Sequence, residues 1–307
     1  MSPLMPPRMS PPDSRLADFQ AQQARLTRLA YRMTGSVAEA EDVVQDAWLR
    51  WSRAEEAVDS PAAFLTRVVT RLCLDRMKSA RAQREIYVGS WLPEPLVGTT
   101  EDEEAIDAED LTFSLMLALE RLSPLERAAF LLHDVFGVAL KDVAATLERD
   151  PAAVRQLAVR ARRHVQDARP RYSVERSEAD RITRAFFAAA RDGDLATLKT
   201  LLADDVVLQS DGGGRVIAFL NVIRGLAKVL RLYAGLARKG HYRDAQVLRW
   251  TDVDGLPGYV SRERGRILQI TALDIRDGRI FGIYIVRNPE KLRHIETEFP
   301  DIGDAPG

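Results

Sequence analysis

Residues 139–165 constrain the fold most strongly, because their spacing predicts two short helices joined by a tight polar turn. Apolar residues recur at helical spacing on both sides of this turn. Asp150 suits an N-cap and Pro151 suits the first helical position, so the second helix begins there. The outward face of that helix is basic and carries an amide: Arg155, Gln156, Arg160, Arg162 and Arg163. The pattern is typical of a helix-turn-helix that enters the major groove, and the alternative is a helical hairpin with a solvated basic face.

The composition narrows the class of protein. A chain of 307 residues with 46% hydrophobic and 29% charged residues is long enough for two or three globular domains. The net charge of −1 does not exclude nucleic acid, because local patches set the field that DNA meets. Cys73 is the single cysteine, so the sequence contains no disulfide framework and no zinc spacing. We expect a cytoplasmic protein without a metal or a cofactor.

The first residues and the hydropathy of the chain argue against secretion and against the membrane. Residues 1–15 contain five prolines and no apolar stretch of the signal-peptide kind, which predicts a disordered tail. No apolar run approaches the length of a membrane span, so no membrane partner is expected.

A helix with an acidic face is predicted after Ser36, which forms a capping box with Glu39. Four of its residues are predicted to supply apolar contacts: Val43, Val44, Ala47 and Leu49. Four others are not needed for that core: Asp42, Gln45, Asp46 and Trp48. An exposed tryptophan beside two carboxylates predicts a protein partner with a basic surface. A charged solvent face with a half-buried tryptophan fits these residues equally well.

A long helix is predicted from Pro61, and its second half is basic. Its cationic residues are Arg67, Arg71, Arg76, Lys78, Arg81 and Arg84. A basic helix end can follow a phosphate backbone, and a solvated helix face is the alternative.

The helical pattern then breaks at a segment with two prolines, which predicts extended backbone. Its residues are Trp91, Leu92, Pro93, Glu94, Pro95 and Leu96. Residues 101–110 follow with seven acidic residues and no basic one. We interpret this region as a linker between two basic modules, whose charge either competes with DNA or is simply solvated.

The last third of the chain changes from helices to strands. Helical patterns at residues 178–191 and 195–202 precede strand patterns, and a further helix is predicted at residues 226–238. Asp254-Gly255 and Asp277-Gly278 are hairpin turn signals, because glycine supplies positive φ. The strand patterns lie at residues 206–209, 246–253, 256–262, 267–276 and 279–286. This order predicts an α+β domain with a curved antiparallel sheet.

The first two blocks, about residues 15–170, resemble an extracytoplasmic-function (ECF) sigma factor with only the second and fourth sigma regions. The resemblance implies that Asp42, Gln45, Asp46 and Trp48 bind the clamp helices in the largest subunit of core RNA polymerase. It implies that the basic helix from Pro61 holds the −10 element of promoter DNA and that the helix-turn-helix reads the −35 element. One departure is that Glu148 follows Leu147, where the family usually has glycine in the turn.

The last third resembles a SnoaL-like domain of the NTF2-like cone fold, which one subgroup of these sigma factors carries. The first of three shared motifs is the proline-containing segment. The second is Asp211, Gly212, Gly213, Gly214 and Arg215, and the third is Asn288, Pro289, Glu290, Lys291 and Leu292. The resemblance implies that this domain controls the factor in place of a membrane-bound anti-sigma protein.

We interpret the three motifs as a packing site within the chain. The glycine loop permits close approach of another segment, and no Lys-Ser/Thr follows it as in a phosphate-binding loop. The loop and the late motif are expected to receive the linker or region 2, with Trp91 as the apolar anchor and Arg215 paired with Glu94. The alternative is that the glycines form only a hairpin loop.

The predicted fold is multidomain, with two all-α domains that bind polymerase and DNA, followed by an α+β NTF2-like (SnoaL-like) cone domain. The predicted boundaries are a tail at 1–15, region 2 at 16–88, a linker at 89–110, region 4 at 111–171 and the regulatory domain at 176–300. The predicted function is promoter recognition for core polymerase, without catalytic residues. The alternative is a one-component helix-turn-helix regulator whose cone senses a small ligand or retains a cyclase- or isomerase-like activity. His241, His294 and Asp211 are the only acid–base candidates, and their spacing forms no dyad.

Overall fold

The computed structural model describes residues 12–54, 58–85, 87–98, 113–166, 174–264 and 266–299. The chain divides into two compact units. We call residues 1–83 with 118–167 the helical unit, and residues 84–117 with 168–307 the sheet unit. Residues 84–117 therefore belong to the sheet unit, although they lie between two helical blocks in the sequence.

The first half of the helical unit is built from three helices. They are α1 (Pro12–Thr34), α2 (Val37–Ser52) and α3 (Pro61–Glu85). Ser36 caps α2 by accepting a hydrogen bond of 3.2 Å from the Glu39 amide, as predicted. The buried face of α2 is formed by Ala40, Val43, Val44, Ala47 and Trp51.

The prediction that Leu49 belongs to the core of α2 is wrong. Leu49 is 42% exposed, whereas Trp51 is only 3% exposed and lies 5.5 Å from the Phe64 ring. The reason is helical spacing, since positions 43, 47 and 51 lie on one face and position 49 lies on the opposite side.

The second half of the helical unit contains the helix-turn-helix. Its elements begin with α4 (Phe113–Leu119), whose first five residues belong to the sheet unit. They continue with α5 (Pro124–Phe130), a π-helical segment (Leu131–Val135), α6 (Leu140–Leu147) and α7 (Pro151–Gln166). The predicted core positions of α7 are buried: Val154, Leu157, Ala158 and Ala161.

Glu148 occupies the turn position where glycine was expected. Its φ is 53° and its amide donates to the Ala144 carbonyl, so the left-handed helix end forms without glycine. The departure in sequence leaves the turn intact, at a cost of about 1 kcal/mol for a side chain in the left-handed region.

The sheet unit is an α+β domain, which confirms the predicted fold class of the last third. Its helices are α8 (Arg176–Asp192), α9 (Leu195–Leu201), α10 (Leu226–Arg238) and α11 (Pro289–Glu296). Its strands are β1 (Leu202–Asp211), β2 (Ile223–Arg224), β3 (Gln246–Val253), β4 (Leu256–Glu263), β5 (Ile267–Arg276) and β6 (Arg279–Val286). The strand order is β2-β1-β6-β5-β4-β3, antiparallel except for the parallel pair β1–β6.

Both faces of the sheet are covered. One face packs against α8, α9 and α10 through residues such as Phe186, Tyr233 and Ile283. The other face packs against α11 and against Leu92 and Phe113, which come from the segments flanking the acidic run. Alternate residues of a strand point to opposite faces, which explains why β5 is buried along most of its length.

Some predictions lie outside the described residues. These are residues 1–11 of the tail predicted at 1–15, the acidic run at 101–110 and the side chains of Arg81 and Arg84. The tail prediction is wrong for residues 12–15, which form the first residues of α1. Among the helices that the structure describes, none is both long and apolar enough to cross a membrane.

Candidate polymerase, DNA and regulatory sites

The acidic face of α2 is accessible. The Asp42 and Asp46 side chains are 66% and 47% exposed, and Gln45 is exposed beside them. Trp48 is half-buried, with its ring 5.1 Å from the Phe19 ring. The tryptophan therefore presents one edge to solvent and not the whole side chain, as the alternative interpretation expected.

Arg76 of α3 is engaged by this same acidic face. Its guanidinium lies 3.3 Å from the Asp42 carboxylate and 3.1 Å from the Asp46 carboxylate, and it also donates to the Glu39 carbonyl. An arginine predicted to contact the −10 DNA thus orients the two carboxylates predicted to contact polymerase. The structure brings these two sets of residues together at this point.

The remaining described cations of α3 are exposed: Arg67, Arg71 and Lys78. Arg71 pairs with Glu148 at 2.6 Å, and Lys78 pairs with Asp75 at 3.1 Å. Arg71 and Glu148 lie at the edge of an open groove of about 500 Å³ between α3, the start of α5 and the α6–α7 turn. The basic helix and the turn of the reader are therefore in direct contact within the helical unit.

The outward face of α7 divides into two groups. Arg155, Gln156 and Arg163 are exposed. Arg160 pairs with Glu126 at 3.1 Å and Arg162 pairs with Asp134 at 2.6 Å. These two arginines fasten the reading helix to α5 and to the π-helical segment, so fewer of their donors remain for DNA.

Arg127 is a structural residue that the sequence analysis did not single out. It is 1% exposed, and its guanidinium donates to the carbonyls of Met33 at 2.7 Å and Leu119 at 2.9 Å. It also lies 2.8 Å from the Glu120 carboxylate. The Met33 carbonyl belongs to the last turn of α1, where backbone acceptors lack helical partners, so the buried cation joins α1 to α5.

The three motifs of the sheet unit meet at one carboxylate. The side chain of Asp211, at the end of β1, is fully buried. Its Oδ2 accepts from the Leu92 amide at 2.9 Å and from Lys291 Nζ at 2.7 Å. Its Oδ1 accepts from the Tyr87 hydroxyl at 2.6 Å and from the Gly213 amide at 3.0 Å. A residue of the glycine-loop motif thus binds the linker motif and the late motif at the same time.

Lys291 is the second centre of this cluster. It is 7% exposed, and its ammonium also donates to the Leu92 carbonyl. The ammonium lies 3.9 Å from the Trp91 ring centroid and 5.1 Å from the Tyr87 ring centroid. Two aromatic rings and a carboxylate therefore replace the water that a lysine normally binds.

Tyr87 is a member of this cluster that no motif included. Its hydroxyl oxygen accepts from the side-chain Nδ2 of Asn288 at 2.9 Å, while the hydroxyl donates to Asp211. Burial, together with the hydrogen bond to Asp211, raises the pKa of the phenol above its usual range, so it remains a donor. No spacing in the sequence links position 87 to a residue 124 positions away.

The expected pair between Arg215 and Glu94 is wrong. Arg215 lies 3.1 Å from the Glu290 carboxylate, and both side chains are more than half exposed. Glu290 is in the first turn of α11, whose cap Asn288 packs against Gly213 of the glycine loop, so its carboxylate lies next to Arg215. Such an exposed pair contributes roughly 0–1 kcal/mol.

The apolar anchor of the linker is Leu92 and not Trp91. Leu92 is fully buried in the second face of the sheet, while Trp91 is half-buried over Lys291. Side chains alternate in an extended segment, so only one of two adjacent apolar residues can face the sheet. Three further residues of the linker motif, Pro93, Glu94 and Pro95, are buried. The Pro95 carbonyl lies 3.0 Å from His294 Nε2.

The glycine loop has a steric reason for its composition. Gly213 and Gly214 have φ of 60° and 70°, and a Cβ on Gly213 would overlap the Asn288 side chain. Asn288 caps α11 by accepting from the Glu290 amide at 3.0 Å. The loop therefore brings its backbone against the late motif.

Two family models match this chain: sigma-70 region 2 at residues 19–83 and sigma-70 region 4 at residues 112–165. The ECF RNA polymerase sigma factor SigJ of Mycobacterium tuberculosis is 39% identical over 290 residues, which cover 90% of this chain and 93% of that protein. The chain belongs to the ECF RNA polymerase sigma factors. A probable ECF sigma factor of the same organism, SigI, is 32% identical and covers 94% of this chain and 99% of its own. The crystal structure of SigJ covers 91% of this chain and 98% of its own with a TM-score of 0.72 and 35% identity.

The comparisons confirm the predicted function, an ECF sigma factor that directs core RNA polymerase to promoters. The region 2 model includes the acidic face of α2 and most of α3, and the region 4 model includes the helix-turn-helix. A one-component regulator has no need of region 2, so that alternative is not supported. The three motifs of the sheet unit lie outside both family models.

Proposed function

We propose that α2 is the polymerase-binding surface of this ECF sigma factor. Asp42, Gln45 and Asp46 present an exposed acidic face, and Trp48 provides a half-buried aromatic edge beside it. Carboxylates held by Arg76 are oriented before binding, which lowers the entropy that association must overcome. The partner of this surface is a basic segment of the polymerase clamp helices in the largest subunit.

The DNA-binding surfaces are the exposed cations of α3 and α7. Arg67, Arg71 and Lys78 suit the phosphates of the −10 element, since their ammonium and guanidinium groups reach solvent. Arg155 and Gln156 lie near the start of α7, the part of a recognition helix that meets base edges. Arg163 lies toward the other end of α7, where contacts to phosphate are expected.

The sheet unit regulates the factor by holding the linker that connects its two regions. One observation carries this proposal: the buried Asp211 carboxylate binds the linker motif, the late motif and Tyr87 together. The held linker and the released linker are two states of one element. Their balance decides whether region 2 and region 4 are restrained.

The sheet unit does this without catalysis. The three acid–base candidates are each engaged elsewhere: Asp211 with Lys291, His294 with the Pro95 carbonyl and His241 with Arg264. These contacts serve the linker or the surface of the unit and form no acid–base pair in the described residues.

The test of regulation is the variant Trp91→Ala, compared with Trp91→Phe. The alanine removes the aromatic cover from the Lys291 ammonium, whereas phenylalanine keeps a ring there. We expect Trp91→Ala to increase amide exchange at residues 91–96 and to change promoter-specific transcription with purified core polymerase by about threefold or more. Trp91→Phe should remain close to the wild type.

Unchanged exchange and unchanged transcription in Trp91→Ala would contradict the regulatory proposal. Faster exchange without any change in transcription would show that the linker is held but that this contact does not regulate.

A further inference from the structure

The β3–β4 turn was identified in the sequence only as a hairpin signal. Asp254 and Gly255 have φ of 45° and 68°, the positive values that a two-residue turn of type I′ requires. Asp254 is 8% exposed and Gly255 is exposed, so the first residue of this turn is buried although hairpin turns usually lie at the surface. The chain segments that bury it are those on either side of the acidic run.

The segment before the acidic run binds this turn through its backbone. The Leu96 amide donates to the Asp254 carboxylate at 3.0 Å, and the Asp254 amide donates to the Leu96 carbonyl at 2.9 Å. Val97 forms a β-bridge with Val253. The Gly98 amide donates to the Asp252 carbonyl at 3.1 Å.

The segment after the acidic run binds the same residue. The Phe113 amide donates to the Asp254 carbonyl at 2.9 Å. The Phe113 ring is 1% exposed and lies 5.3 Å from the Tyr284 ring. The Ser114 hydroxyl donates to the Asp274 carboxylate at 3.3 Å.

Leu96 and Phe113 are therefore held at one residue, although they are 17 positions apart in the sequence. The chain leaves region 2, reaches Asp254, runs through the acidic segment and returns to Asp254 before region 4 begins. In the described part of the connection, its last residues before the acidic run and its first residues after it both bind the sheet unit.

We propose that Asp254 is the positioning residue that fixes both ends of the connection between region 2 and region 4, and thereby limits the promoter spacings that the factor accepts. This inference rests on the proposed reading of the −10 and −35 elements by α3 and α7. Asp254 itself lies outside the three motifs, at a different turn of the sheet unit.

The arithmetic of DNA explains why a fixed connection limits spacing. Each base pair added between the elements moves the −35 element by about 3.4 Å and rotates it by roughly a tenth of a turn. If Asp254 released Leu96 and Phe113, the chain between Leu92, which Asp211 still holds, and region 4 would be a flexible stretch of about 25 residues, with an end-to-end distance on the order of 30 Å and wide fluctuation. A released connection tolerates several base pairs of change, and a held one does not.

Substitutions at position 254 can separate the backbone conformation of the turn from the side-chain oxygen that accepts from Leu96. Asparagine, aspartate and glycine all suit the positive φ of this turn, but only the first two carry an oxygen that accepts from the Leu96 amide. Asp254→Gly therefore keeps the turn and removes the acceptor. Asp254→Asn keeps both and is the matched control.

The experiment has two arms on the full chain. Hydrogen exchange of the free protein follows the amides of Leu96, Gly98 and Phe113, and transcription with purified core polymerase uses promoters whose spacer is changed by one or two base pairs in either direction. For Asp254→Gly we expect the Leu96 amide to exchange about tenfold faster. We also expect transcription from promoters with altered spacers to fall less than it does with the wild type, by a similar factor. Asp254→Asn should reproduce the wild-type exchange and spacer profile.

A second variant guards against a general loss of structure. Thr251→Val removes the hydroxyl that donates to the Gly98 carbonyl at 3.1 Å and leaves the turn residues untouched. It should shift exchange at Gly98 and the spacer profile in the same direction, by a smaller factor.

The inference is overturned if Asp254→Gly leaves the exchange of Leu96 unchanged, or if exchange accelerates while the spacer profile stays that of the wild type. A wild-type protein that gives no promoter-specific transcript contradicts the proposed DNA contacts instead. The exchange arm needs no polymerase, so it decides separately whether Asp254 holds the connection.

Discussion

At the scale of single residues, the sheet unit buries a carboxylate and an ammonium group next to each other. Asp211 and Lys291 are both almost fully buried, and each has several partners besides the other. Removing one partner of a buried pair leaves an uncompensated charge, which costs about 3–5 kcal/mol. A single substitution in the pair should therefore destabilise the sheet unit more than a double substitution that removes both charges.

We predict that Lys291→Met lowers the free energy of unfolding of the sheet unit by about 3 kcal/mol, because the Asp211 carboxylate loses its ammonium partner. The double variant Asp211→Asn/Lys291→Met should recover part of that loss, because no charge then remains buried. Chemical denaturation followed by the fluorescence of Trp91 and Trp250, with Trp48 and Trp51 of the helical unit replaced by phenylalanine, measures both values. Losses that simply add in the double variant would show that the two residues act independently.

Position 254 shows which features of a turn can be predicted from the sequence and which cannot. The Asp-Gly pair predicted the turn correctly because turn chemistry is local. The partners of that turn, Leu96 and Phe113, are more than 140 positions away, and no local preference indicates them. Tyr87 and Arg127 were missed for this reason as well.

At the scale of elements, the helix-turn-helix followed the sequence closely. Apolar spacing predicted the buried side of α7, because a helix must bury one face whatever its partner is. Spacing did not show that Arg160 and Arg162 pair with Glu126 and Asp134. Those pairs depend on how α7 crosses α5 and the π-helical segment. The sequence of α7 alone does not specify that crossing.

We predict different effects for the two ends of α7. Arg155→Ala should relax the base preference at the −35 element, with a loss of about 1–3 kcal/mol on the preferred sequence only. Arg163→Ala should weaken binding equally on all sequences and reduce the salt slope by about one. Binding to matched and mismatched −35 duplexes over a salt series measures both. Identical behaviour of the two variants would contradict these roles.

At the scale of the whole molecule, the linker belongs to the sheet unit and not to the helical blocks that it joins. Composition predicted a linker there from its prolines and its acidic run. The structure shows that Leu92 and Phe113 complete the second face of the sheet. An uncovered apolar face of a sheet can be covered by any apolar segment. The sequence therefore does not show which segment packs there, and the three-dimensional fold does.

The helical unit is smaller than the distance between the two promoter elements. A compact body of residues 1–83 and 118–167 has a radius of gyration of about 14 Å and a diameter of roughly 40 Å. The −10 and −35 elements are about 25 base pairs apart, or about 85 Å along the duplex. Region 2 and region 4 therefore cannot read both elements while Arg71 stays 2.6 Å from Glu148.

We predict that joining these two positions blocks initiation. In the variant Arg71→Cys/Glu148→Cys, a short bis-maleimide crosslinker should abolish promoter-specific transcription. The uncrosslinked variant should keep measurable transcription, lowered only by the loss of the proposed Arg71 contact to the −10 phosphates. Cys73 is buried, and burial raises the pKa of its thiol to about 12, so it should not compete for the reagent. Arg71→Cys alone, treated in the same way, is the control. Full activity of the crosslinked protein would mean that the helical unit reads its promoter without opening.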